Sequence, residues 1–143
     1  MANFFTGRPA AIGATLAIAT VPLHLYLSRA HSEQFAEMLL GCCGAIYIGF
    51  GLQTGNQSQI ATEISVAIGF ISAALGGLWI SAWLVPFGWA THGIWDYAHH
   101  EGSKLAPKSR KFVAIPAWYP PLCAVIDWVV AGSLVVIGAC ETK

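Results

Sequence analysis

Long apolar stretches broken by short polar turns run the length of this chain. A transmembrane helix needs roughly 20 mostly apolar residues to cross the hydrocarbon core of a bilayer. The first stretch, 9–28, ends at the polar turn Arg29-Ala-His-Ser-Glu-Gln. The second, 35–52, is rich in glycine and alanine, which let helices approach closely in lipid, and it ends at Gln53-Thr-Gly-Asn-Gln-Ser-Gln. Residues 60–100 are 41 positions almost free of charge. As one helix they would rise about 60 Å, twice the hydrocarbon thickness, so the stretch must fold back. The break is expected at Gly76-Gly77 or shortly after, which predicts a third span over 60–77 and a fourth over 80–100. Pro116, Pro120 and Pro121 mark an irregular approach to a fifth span over 121–139, because proline suits a first helical turn and disrupts an interior one. The pattern predicts an all-α integral membrane bundle of about five transmembrane helices, with residues 1–143 forming a single domain.

Composition agrees with that pattern. Of the 143 residues, 56% are hydrophobic and 10% charged, with a mean hydropathy of +0.62. Soluble domains carry about a quarter charged residues, so an ordinary cytosolic globule is excluded. Lys plus Arg number 7 and Asp plus Glu number 7, so no net field draws the chain to nucleic acid. Arg8 precedes an apolar run of 19 residues, 9–27, that is long for a signal sequence and reads as an uncleaved first span. Five spans place the N-terminus, the loop after Gln53 and the basic loop 101–111 on one side, together with 5 of the 7 Lys/Arg residues. The positive-inside rule makes that side cytoplasmic. Four spans with the opposite N-terminal orientation give the same charge split, and the length of 60–100 is what favours five. Cys42, Cys43, Cys123 and Cys140 form no CxxC pair and read as small hydrophobes.

Ionisable groups inside spans cost about 2.5 to 3.5 kcal/mol each even on the insertion scale, so each is a functional candidate. Here they are concentrated. The fourth span ends His92-Gly-Ile-Trp-Asp96-Tyr-Ala-His99-His100, the third begins with Glu63, and the fifth contains Asp127. At about 100° per residue, Asp96, His99 and His100 fall near +40°, −20° and +80° from His92, so four metal-capable side chains share one helix face. Counted from the ends of their spans, Glu63, the His92–His100 stripe and Asp127 reach one level beneath the cytoplasmic surface. His92, Asp96, His99 and His100 are therefore candidate metal ligands, and Glu63 and Asp127 candidate catalytic acids or bases. Carboxylates with imidazoles suit a divalent transition metal, zinc ahead of non-haem iron, whereas the lack of a thiolate cluster argues against copper(I) or iron–sulfur chemistry. A metal-free acid/base relay and purely structural pairing between helices remain open readings of the same residues. His24 and Tyr26 lie near the opposite end of the first span and read as helix-packing groups. His31, Glu33 and Glu37 are expected in a solvated polar loop, and the six tryptophans include interfacial anchors, with Trp95 and Trp118-Tyr119 also placed to floor a hydrophobic pocket.

The His92–His100 segment, followed by Pro-Ala-Trp-Tyr-Pro-Pro-Leu-Cys-Ala-Val-Ile-Asp127, resembles a family of small, uncharacterised integral membrane proteins. In that family an HG/A-x-WD-x-x-HH helix precedes a proline-rich start and a C-x-x-x-D helix. Gly44-Ala-Ile-Tyr-Ile-Gly49 and Glu63 look similar to it as well, so the likeness covers roughly 40–135. The resemblance implies the membrane fold and a signature of Glu63, His92, Asp96, His99, His100 and Asp127; it implies no activity. Asp96 to His100 is also similar to the HxxHH box of membrane desaturases and hydroxylases, with the aspartate in place of the first histidine. Those enzymes gather about eight histidines, and this chain has five.

Three functions are consistent with these residues. The first is a metal-dependent membrane hydrolase of a lipid or other apolar ester or amide, with Glu63 or Asp127 as base. The second is a non-haem iron oxidoreductase on an apolar substrate. The third is a non-enzymatic haem-binding or accessory membrane subunit. The expected partners are the bilayer and an apolar small-molecule or lipid substrate, with no nucleic acid, and the composition allows a homo-oligomer.

Overall fold

A computed structural model of the chain describes residues 2–100, 103, 105 and 112–140. Glu101, Lys104, Lys108, Arg110 and Lys111, which carry the expected basic loop, lie outside the described residues. The described residues form six helices: α1 (Ala2–Thr6), α2 (Arg8–Tyr26), α3 (Arg29–Thr54), α4 (Gln57–Trp79), α5 (Leu84–His99) and α6 (Tyr119–Cys140). α2, α3, α4 and α6 are long and apolar enough to cross a membrane. α5, with 16 residues, rises about 24 Å and is shorter than a full hydrocarbon core. This corrects the expected fourth span over 80–100. The chain spends residues 80–83 on the turn that reverses it, where Ile80 and Ser81 both donate to the Gly76 carbonyl, so α5 starts four residues later.

α3 also differs from the sequence reading, because it begins at Arg29 where a polar turn was expected. The Ser28 side chain accepts from the His31 amide, and Arg29 Nε pairs with Glu33 Oε1 at 2.8 Å, one helical turn on. A cap and an i,i+4 ion pair make two polar turns helical. The α3–α4 connection is equally determined. Gly55 closes α3 in the left-handed region (φ 65°), and the Asn56 side chain then accepts from the Ser58 and Gln59 amides to open α4. Pro120 and Pro121 sit in the first turn of α6, where their missing N–H groups leave no helical bond unmade.

Side-chain contacts fix the directions of the helices. Phe70 meets His92 and Gly77 meets Val85, so α4 and α5 are antiparallel. Trp89 donates to the Ala36 carbonyl and Tyr47 reaches Asp96, so α3 and α5 are parallel. Trp128 donates to the Ala90 carbonyl and fastens α6 to α5. α2 lies against α6 so closely that a Cβ on Gly13 would stand 2.3 Å from the Leu122 carbonyl oxygen. One end of the bundle, called here the Asn56 end, holds the start of α2, the α3–α4 turn and the segment before α6. The other, the Trp79 end, holds the α2–α3 and α4–α5 turns. Exposed Trp79 and Trp83 mark the Trp79 end and exposed Trp118 the Asn56 end, as interfacial tryptophans do. Trp89, by contrast, is buried in the core. That core, with Leu40, Phe70, Val85, Val130 and Leu134, fills the half of the bundle towards the Trp79 end. Of the buried polar residues, Glu63, His92, Asp96 and Asp127 occupy the other half, while His24, Ser32 and Glu37 lie towards the Trp79 end.

Candidate functional site

Four helices deliver ionisable or hydroxyl-bearing side chains to one depth. Tyr47 lies seven residues from the end of α3, Glu63 six from the start of α4, His92 seven from the end of α5 and Asp127 eight from the start of α6. At 1.5 Å per residue each is about 9–12 Å in from the Asn56 end. The tight Gly55-Asn56 turn sets Tyr47 level with Glu63, and the α4–α5 turn brings the His92 helix back antiparallel beside them.

The centre of the site is His92, Asp96 and Asp127, which are 1%, 0% and 2% exposed. His92 Nδ1 hydrogen-bonds to Asp127 Oδ2 at 2.8 Å and stands 3.5 Å from Asp96 Oδ2. One potential ligand atom from each of the three lies within 4.8 Å of the others. The Tyr47 hydroxyl donates to Asp96 Oδ1. Asp96 Oδ2 and His92 Nε2 are buried and make no hydrogen bond. Phe70 closes the site towards the apolar core, with its ring 4.6 Å from that of His92.

A second pair stands beside the first group. His99 Nε2 lies 3.3 Å from Glu63 Oε1, and His99 Nδ1 is fixed by the Trp95 carbonyl at 3.0 Å. Glu63 Oε2 is buried with no partner. The Tyr47 ring lies 5.0 Å from His99 and 5.8 Å from His92, so one phenol separates the pair from the centre. Phe112 and Trp95 stack around His99.

Of the six residues singled out from sequence, His92 and Asp96 thus gather with Asp127, and His99 with Glu63. His100 does neither. It is the C-cap of α5, with extended backbone (φ −70°, ψ 132°), so it has left the helix face, and its ring packs on Phe4 at 4.8 Å. Tyr47 was not singled out as a site residue. Its signal was a phenol inside an otherwise apolar span at the same depth as the acids. His24 hydrogen-bonds to Ser32 Oγ at 2.8 Å near the α2–α3 turn, at the far end of the bundle from His92.

Electrostatics limit what this centre can be. Two ionised carboxylates beside one imidazole, removed from water, would carry excess negative charge that the surroundings cannot solvate. Protons or a cation must balance it. The donor set, one imidazole nitrogen with two carboxylate oxygens, and with Asp96 Oδ2 free of hydrogen bonds, fits a divalent metal ion in both charge and ligand type. No family model, curated protein or solved structure matches this chain.

Proposed function

We propose that this protein is an integral membrane metal-dependent hydrolase, in which His92, Asp96 and Asp127 hold a divalent ion, zinc in preference to iron, and an apolar ester or amide is cleaved. The observation that carries the reading is the convergence of three buried ligand-type side chains from α5 and α6 at one depth, with a separate acid–imidazole pair next to them. A zinc ion held by His92, Asp96 and Asp127 would supply Lewis acidity and would make a water easier to deprotonate near neutral pH. Tyr47 holds Asp96 through Oδ1 and leaves Oδ2 for the ion. Glu63, with Oε2 unpartnered and Oε1 held by His99, itself steadied by the Trp95 carbonyl, would serve as the base of the hydrolysis. A groove of about 370 Å³ on the outer face of α4, lined by Ser58, Thr62, Ser65 and Trp95, opens beside this pair. Trp95 lines that groove and meets the His99 ring edge to face, with centroids 4.8 Å apart. An apolar substrate entering sideways from lipid meets hydroxyls there for its polar end.

The test is hydrolysis of a long-chain p-nitrophenyl ester and its anilide by zinc-loaded protein in micelles. The expected outcome is turnover by the parent and a loss of about 10²-fold or more in Glu63→Gln, with its metal retained, as for removal of a general base. Parent protein that holds its metal and cleaves neither compound, or a Glu63→Gln variant at the parent rate, overturns the hydrolase reading. One observation favours a second reading. The 2.8 Å bond between His92 Nδ1 and Asp127 Oδ2 already joins these two atoms through a proton. A metal-free acid/base centre on the same residues would keep its chemistry in the presence of a strong chelator.

A further inference from the structure

The other buried acid with an oxygen lacking any partner, Glu37, lies far from this centre. It is ten residues before Tyr47 on α3, about 15 Å along the helix axis towards the Trp79 end. The sequence placed Glu37 in a solvated loop, but it is 6% exposed and its Oε2 makes no hydrogen bond. Glu33, one turn earlier, is engaged by Arg29. α4 leaves room for the Glu37 carboxylate through the lack of a side chain at Gly77, where a Cβ would stand 2.7 Å from Glu37 Oε1. The acid therefore lies against the last turn of α4, and among the described residues no cation is paired with it.

It also lines a groove. Positions 34, 37, 38 and 41 of α3 and 71, 74, 75 and 78 of α4 each follow an i, i+3, i+4, i+7 stripe, and between them lies a volume of about 440 Å³. That is the size of small-molecule sites. Met38, Leu75 and Leu78 are exposed at its rim, so it opens towards lipid. Apart from Glu37 and Gln34 at the Trp79 end, the lining is apolar. Acceptors at one end and a hydrophobic channel along the rest describe an amphiphile with a hydrogen-bond-donating, positively charged head. An ammonium group has three N–H donors and no acceptor, which matches the Glu37 carboxylate and the Gln34 amide carbonyl.

We propose that this seam between α3 and α4 binds an alkylammonium amphiphile, its head on Glu37 and its chain between Met38, Gly41, Ile71 and Leu75. The site is separate from the His92 centre and does not depend on its chemistry. The test is competition of dodecylammonium, dodecanol and dodecanoate against a fluorescent alkylammonium probe, on the intact protein in micelles of uncharged detergent. The expected result is that dodecylammonium competes at least about tenfold better than dodecanol, dodecanoate competes worst, and Glu37→Gln removes the preference for the ammonium. Equal competition by dodecanol, or a preference that survives in Glu37→Gln, overturns the proposal. The comparison among ligands is made on parent protein, so it decides the matter even where the variant folds poorly.

Discussion

Asp96 has no exposed surface, and one of its oxygens depends on a phenol carried by another helix. Replacing Tyr47 by Phe keeps the ring packing against His92 and His99 and leaves Asp96 Oδ1 without a donor. The expected cost is about 1–3 kcal/mol, read as a lower midpoint of thermal unfolding in detergent. Where a metal is bound, the same variant loses about 10- to 100-fold in affinity, because the group that orients its ligand has gone. His99→Ala is expected to differ, since His99 lies on Glu63: metal content stays at the parent level while ester hydrolysis falls. At this scale the sequence was informative wherever a helix continued. The angular count that joined His92 to Asp96 works because both lie inside α5, and it fails for His100 because the helix has already ended. No angular count within one helix could assign His99 to Glu63, since that partner sits on α4. Tyr47 passed unremarked because an aromatic residue in an apolar span has an ordinary packing role until an acid is found opposite it.

The turns decide which side chains meet. Gly55 and Asn56 set the register of α3 against α4 with a left-handed residue and a side-chain cap, and Asn56→Ala is expected to cost about 1 kcal/mol in an unfolding titration. A larger effect belongs to the α2–α6 contact. Gly13→Val must push α2 away from the Leu122 carbonyl, and overpacking of this kind costs about 1–3 kcal/mol, visible as a lower melting temperature than that of Gly69→Val, where a Cβ meets nothing within 4 Å. Element boundaries were only partly legible. Runs of apolar residues located the helices, but the polar segment after Ser28 turned out helical through its cap and its Arg29–Glu33 pair. The reversal near Gly76-Gly77 was foreseeable from length alone. Its four-residue turn, which shortens α5 to 16 residues, was not.

Across the whole molecule the main apolar core lies towards the Trp79 end, where His24, Ser32 and Glu37 are also buried, and both carboxylates of the centre are buried towards the Asn56 end. Four of its helices are long and apolar enough to cross a membrane, and the short α5, which carries His92 and His99, packs its buried face against α3, α4 and α6. That packing makes compensation of the buried charge a matter of global stability. A ligand that binds only the folded state stabilises it by mass action, so a chelator is expected to lower the unfolding midpoint of metal-loaded protein and added zinc to restore it. The most direct measurement is elemental analysis of protein purified without added metal, beside a His92→Ala/Asp96→Ala variant shown by circular dichroism to keep its helices. The expected result is about one transition-metal ion per chain in the parent and loss of it in the variant. Equal, sub-stoichiometric metal in both would contradict the metal centre and leave protons as the charge that balances Asp96 and Asp127.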